Sequence, residues 1–285
     1  MCSFHEEEGR IGMKNTWRFV VLAALGAVVL ATAAAAQEVY FKDPAGDDNG
    51  PGTYTYPTDR VYKPGSFDLT FFRMKVSGSK ADIEVGQNSQ LEGTCPAMHC
   101  GFCVQMAFIF VKTDPKGGHI EGLPGLNIQF APDSSWNKVI ILSPQPPSRV
   151  RQEVEQKVAK NLQPDVIVPN RVGGSGKVIS TSVDLKDLGA GDLTKWGYQV
   201  LMQSNEGFPA ATDLLTRKVN EFEGQHRFGG GNDGDCDPHV LDLLAGDGVG
   251  DKSEIDLQHK MLAYECNPDG SPKKLATLTM VYVKK

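Results

Sequence analysis

The runs "FDLTFFRMKVS" (67–77) and "KADIEVG" (80–86) decide the fold class. Each is a short stretch in which apolar and polar residues alternate, rich in aromatic or β-branched side chains, and Gly78 and Ser79 break the chain between them. A period of two is that of a strand, where successive side chains point to opposite faces. Working outward, the same kind of run recurs at "VQMAFIFVKT" (104–113), "GLNIQFA" (125–131), "NKVIILS" (137–143), "DVIVPNRV" (165–172), "GKVISTSVDL" (176–185), "YQVLMQS" (198–204) and "ATLTMVYVKK" (276–285). Clusters of Gly, Pro and Asp separate them, and the spacing predicts an all-β protein built as a β-sandwich with one or two short helices. "PPSRVRQEVEQKVAKNL" (146–162) carries Val150, Val154 and Val158 at helical spacing with charges between, which suits a surface helix over a sheet edge or an irregular strand. Shorter helical turns are expected at "DPHVLDLL" (237–244) and "SEIDLQHKML" (253–262).

The 285 residues are 40% hydrophobic and 22% charged, the balance of an ordinary globular chain. A net charge of -6 opposes non-specific nucleic-acid binding, which needs a basic surface. At the N-terminus, Lys14 and Arg18 precede "FVVLAALGAVVLATAAAA" (19–36), so residues 1–36 read as a secretory signal peptide cleaved after Ala36. Glu6, Glu7 and Glu8 oppose the usual positive start, and Met13 begins a better leader than Met1. The expected product is one domain, 37–285, periplasmic or extracellular, without stable membrane insertion once the leader is removed.

Export permits disulfides. Cys236 and Cys266, each in a turn-rich loop, are expected to pair. "CPAMHCGFC" (95–103) leaves alternatives: Cys95 joined to Cys100 or Cys103 as a staple, or thiols and His99 used for metal or redox chemistry. Val104 stands where covalent c-type haem attachment would need His.

"DPAGDDNGPGTYTYPTD" (43–59) places Asp43, Asp47, Asp48 and Asn49 on a glycine-rich loop, and several hard oxygens on a bent backbone suit calcium. A second acidic stretch, "GGGNDGDCDPHVLDLLAGDGVGD" (229–251), offers Asn232, Asp233, Asp235, Asp237, Asp242, Asp247 and Asp251. If the two loops meet at one end of the sandwich, Asp233 and Asp235 are expected to join a shared calcium site. The competing reading is ion-free turns, since Asp and Asn serve turns unaided and the EF-hand spacing is absent. For a sugar, aromatic faces are needed: Tyr54, Tyr56, Trp136 and Trp196 are the candidates, with core packing as the alternative for each. G-x-S-x-G, H-E-x-x-H and P-loop motifs are missing, and no catalytic residue is assigned.

"DPAGDDNGPGTYTYPTDRVYKPGSFDLTFFRMK" (43–75) resembles the opening of the C-terminal domain of glucodextranase, a module grouped with DOMON-like, family-nine-type carbohydrate-binding domains. "VKTDPKGGHIEGLPGLN" (111–127), "WNKVIILSP" (136–144), "WGYQVLMQSNEGF" (196–208), "FGGGNDGDCDPHVLDLL" (228–244) and the final "MVYV" (280–283) keep that module's order. The resemblance implies a non-catalytic sandwich whose partner is a glycan or cell-envelope polysaccharide. "CPAMHCGFC" departs from its pattern. Two alternatives accompany it: a haem-binding electron-transfer protein, for which Met98, His99 and Met106 are the available donors, and a surface-assembly subunit pairing through a sheet edge. The sequence leaves the oligomeric state open.

Overall fold

A computed structural model of the chain describes residues 37–93 and 100–284. Residues 1–36, expected to be a signal peptide, and Cys95, Met98 and His99 of the cysteine-rich segment lie outside the described residues. In chain order the strands are β1 (Glu38–Lys42), β2 (Leu69–Ser77), β3 (Lys80–Gln87), β4 (Gln105–Lys112), β5 (Ile128–Phe130), β6 (Lys138–Leu142), β7 (Val166–Ile167) and β8 (Val172–Ser175). They continue with β9 (Val178–Asp184), β10 (Gly197–Ser204), β11 (Asp242–Leu243), β12 (Glu265–Cys266), β13 (Pro272–Lys274), β14 (Ala276–Leu278) and β15 (Val281–Tyr282). Among the described residues the helices are α1 (Pro147–Lys157), α2 (Leu185–Leu188) and α3 (Lys252–Met261), and α2 lies in a stretch where no helix was expected.

Two sheets carry the sandwich. The first runs β1-β2-β3-β9-β8, antiparallel throughout, and the second runs β11-β10-β4-β6-β7, with β15 also pairing β10. Side-chain alternation explains how they close. Val39 and Phe41 of β1, Phe72 and Met74 of β2, and Ile83 and Val85 of β3 face one core with Ala107, Ile109 and Val111 of β4 and Tyr198, Val200 and Met202 of β10. The intervening residues of the second sheet point the other way, into a second core: Met106, Phe108 and Phe110 of β4, Val139 and Ile141 of β6, and Leu201 of β10. β4 and β10 are therefore buried along their whole length, which is why "MAFIFV" (106–111) is a continuous apolar run while "KADIEVG" alternates.

The second core fixes what α1 does. Val150 and Val154 pack against the outward residues of β4 and β6, so the helix covers the face of the second sheet and not an edge, correcting the sequence expectation. Pro147 starts it, where a missing N–H costs nothing, and the Gln163 side chain ends it by donating to the carbonyls of Glu155 and Val158. Burying each valine stabilises by about 1.5–3 kcal/mol, so a charge at Val154 would detach the helix. "DPHVLDLL" is also corrected: it contains β11, paired to β10, with no helical turn. Leu241 and Leu244 reach the first core while Val240 and Leu243 reach the second, so the segment is pinned from both sides. β1 escaped the sequence reading altogether. Among the described residues, no helix is long and apolar enough to cross a membrane.

Candidate functional site

The two glycine-rich acidic loops do meet. Thr55 and Gly229 form a β-bridge, Thr53 Oγ1 donates to the Gly230 carbonyl at 2.8 Å, and Tyr54 Oη donates to the Pro238 carbonyl at 2.6 Å. Gly230 is required here: its φ is +83°, and a Cβ would stand 2.0 Å from the Thr53 oxygen. The first loop is held from below by α3, whose Gln258 donates to the Asp47 carbonyl at 2.6 Å and accepts from Leu243 N–H at 2.9 Å.

Inside this junction lies a cluster of acids. Carboxylate oxygens of Asp43, Asp47 and Asp242 all lie within 4.8 Å of one another, and all three residues are buried. Asp43 follows β1, Asp47 lies in the first loop and Asp242 opens β11, so the cluster joins both sheets. Asp68, just before β2, and Glu254, in the first turn of α3, press on it electrostatically. Glu254 arrives there through a helix start in which Asp251 caps Ser253 N–H at 2.9 Å and Glu254 Oε2 accepts from Gly250 N–H at 2.8 Å.

Hydrogen bonds satisfy only part of this set. Asp242 accepts from Leu69 N–H at 2.6 Å and from Leu243 N–H at 2.8 Å, and Asp68 Oδ2 accepts from Gly46 N–H and Asn88 Nδ2. Both oxygens of Asp43, together with Asp47 Oδ1, Asp68 Oδ1 and Glu254 Oε1, are buried with no hydrogen-bond partner. Asp43, Asp47, Asp68 and Glu254 are each at most 7% exposed. Burial first, then the neighbouring negative charges, pushes Asp43 and Asp242 well above the carboxylate range, Asp47 and Glu254 to about 7, and Asp68 to about 6. Three converging acids, Asp43, Asp47 and Asp242, with Asp68 and Glu254 beside them and orphaned oxygens on all but Asp242, form a cradle for a positive charge. A converging set of carboxylate oxygens could hold calcium, which accepts six to eight hard oxygens flexibly, better than magnesium, which keeps several of its waters.

The remaining sequence candidates are engaged in contacts of their own, with Asp48 close enough to bear on Asp47 and Asp68. Asp48 accepts a short hydrogen bond from Tyr56 Oη, and Asn49 Oδ1 lies 3.4 Å from His259 Nε2. Asp233 accepts from Glu221 N–H. Asp235 binds Lys218 Nζ at 2.9 Å and Asn127 Nδ2 at 3.2 Å with His239 beside it, and the His239 contact holds its carboxyl well below the usual range. Asp233 and Asp235 thus belong to a separate neighbourhood beside Cys236, and it is Asp242 from that stretch that reaches the cluster. Trp136 is fully buried, with its Nε1 donating to the Glu121 carbonyl, and Tyr54 is buried too, so neither offers a face to a ligand. Tyr56 accepts from Phe67 N–H and packs edge-on against Phe67 and Phe228. Trp196 shows only 3% of its surface, at the margin of a cleft.

Cys236 and Cys266 form a disulfide that ties the second loop to β12. Cys103 is also disulfide-bonded, and Cys100 is the free thiol among the described residues, which excludes a Cys95–Cys100 staple. Met106 is buried in the second core.

Compared with known proteins, residues 39–281 match the family model described as the C-terminal binding-module, SLH-like, of glucodextranase. No curated protein matches the chain.

Proposed function

The chain belongs to the family of glucodextranase C-terminal, SLH-like binding modules, and on that premise we propose that it is an exported sandwich that binds a neutral glycan or cell-envelope polysaccharide and carries a structural calcium ion. The family is one of binding modules, so the role is non-catalytic binding. The observation that carries the reading is the length of the match, which takes in both sheets from β1 to β15 and not one shared motif. The calcium reading rests on the three converging buried carboxylates of Asp43, Asp47 and Asp242 and on the orphaned oxygens of Asp43, Asp47, Asp68 and Glu254. Asp43, Asp47, Asp68, Asp242 and Glu254 would hold it, and the ion would supply the positive charge that locks the two sheets and α3 together. Export is supported by the leader pattern and by a disulfide in the second loop.

Affinity electrophoresis of the mature protein through gels containing dextran, soluble starch, mixed-linkage β-glucan or galactomannan tests the glycan. Retardation by at least one is expected, and free migration through all of them refutes the reading. Elemental analysis of the same preparation tests the ion, with about one calcium per chain expected.

A further inference from the structure

A second place on the surface has the make-up of a ligand site. At one end of β10, four separate segments enclose a cleft of about 590 Å3, lined by Thr113 beyond β4, Asp133, Asp192 and Lys195, Trp196, and Tyr282 on β15. That volume lies within the range of small-ligand pockets. Tyr282 is 43% exposed although it belongs to a paired strand. Its ring rests on the backbone of Gly197, its register partner, where a Cβ would come within 2.8 Å of Cζ. The glycine therefore sets an aromatic ring on the sheet with much of it in solvent, and Trp196 adds an apolar edge below it.

The polar lining is balanced in charge. Asp133 and Asp192 oppose Lys112 and Lys195, and Lys112 is already engaged, donating to the Ser135 carbonyl and hydroxyl. Asp192 caps Thr194 and holds Lys195 at 3.6 Å, whereas Asp133 accepts only from Ser134 Oγ on one oxygen. Asp133 bears on the Tyr282 phenol, helping to raise it after burial. An aromatic ring flanked by carboxylates, without a net positive field, suits a ring that is apolar on its C–H face and carries hydroxyls at its edge. A phosphate or a uronate would meet two carboxylates along with two lysines that are already engaged, Lys112 by Ser135 and Lys195 by Asp192.

We propose that this cleft is the subsite for a neutral hexose unit of the glycan, with Tyr282 stacking on the sugar face and Asp133 accepting from its hydroxyls. The proposal rests on the glycan reading above. The cleft is independent of the acid cluster: Gly197 pairs Tyr282 while Met202 pairs Asp242, five residues further along β10, roughly 17 Å at ~3.4 Å per residue.

The test uses the full mature chain and the polysaccharide gels already described, comparing wild type with Tyr282→Ala, Asp133→Asn and, as a control, Tyr40→Ala, which removes an exposed ring stacked on Phe71 on the outer face of the first sheet. Melting curves confirm that each variant is folded, and Asp133→Asn keeps the test open should Tyr282→Ala not fold. Expected is about a tenfold weaker affinity for Tyr282→Ala, a smaller loss for Asp133→Asn and none for Tyr40→Ala. Wild-type retardation of both cleft variants overturns the cleft and leaves the glycan reading standing. A wild type that no polysaccharide retards overturns both.

Discussion

Stripped of metal, the protein should lose stability as pH rises, and calcium should restore it most where the loss is greatest. The perturbation is chelation followed by thermal melting at roughly pH 5 and pH 8. Glu254 serves for the magnitude, because it is 2% exposed and held at about 7 against an ordinary 4.5. Below the ordinary carboxylate range, folded and unfolded chains both hold its proton and no penalty arises. Between about 4.5 and 7 the unfolded chain ionises while the folded one keeps the proton, so folding becomes less favourable with each step in pH, at ~1.36 kcal/mol per unit. The loss is complete above about 7 and amounts to about 3 kcal/mol for this group alone. Asp43, Asp47, Asp68 and Asp242 act in the same direction, although five mutually repelling acids do not add independently.

A cation reverses this by competing with protons. At about a hundred times its Kd, calcium adds ~2.7 kcal/mol, which for a domain of this size raises Tm by roughly 5–10 °C. The gain should be large at roughly pH 8 and small at roughly pH 5, where protons already occupy the cluster. Asp43→Asn should abolish the calcium response and yet make the metal-free protein more stable than wild type at the higher pH, because it removes a buried charge with no hydrogen-bond partner. A metal-free Tm that is flat or rising across this range would refute the pH argument. An Asp43→Asn variant that keeps the full calcium response would refute the placement of the ion.

Other consequences follow from single contacts. Cys236→Ser opens a crosslink spanning 30 residues and should cost about 3–4 kcal/mol in urea unfolding, with a loss under ~1 kcal/mol meaning that the loop is held by other contacts. Gly230→Ala should destabilise by at least ~2 kcal/mol, since it meets both a positive φ and the Thr53 carbonyl, and a neutral result would show that the junction of the two loops is soft. Trp136→Phe should cost ~1–3 kcal/mol through a small void and the lost bond to Glu121, and leave polysaccharide retardation unchanged; altered retardation would place that side chain in ligand binding.

What the sequence could and could not convey follows from how far apart the cooperating residues lie. The β-branched runs identified most strands because period-two alternation is local, but the two-faced burial of β4 and β10 depends on α1 and the C-terminal segments covering the second sheet. An apolar run alone does not say what covers it. β1 was hidden because only Val39 and Phe41 face inward and the long apolar stretch 19–36 ends just before them. Tyr54 and Tyr56 sit among turn residues, which suggests exposure, yet the Tyr54 hydroxyl reaches Pro238 and the Tyr56 hydroxyl joins Asp48 of its own loop to Phe67, and the rings are consumed in doing so. The acid cluster shows the same limit most sharply. Asp43 and Asp47 stand together in a visibly acidic loop, whereas Asp242 and Glu254 arrive from the far end of the chain. Glu254 reads simply as the third residue of a capped helix, and Asp68 as the polar residue before a strand. Asp242 alone carried a usable signal: it interrupts "HVLDLLA", where leucine stands on both sides. A carboxylate flanked by residues destined for two cores must be buried with them, and a buried carboxylate must be given a proton, a hydrogen bond or a cation. An isolated acid of this kind demands a partner, and another acid in the sequence with the same demand, at the end of an inward-facing pair, is Asp43.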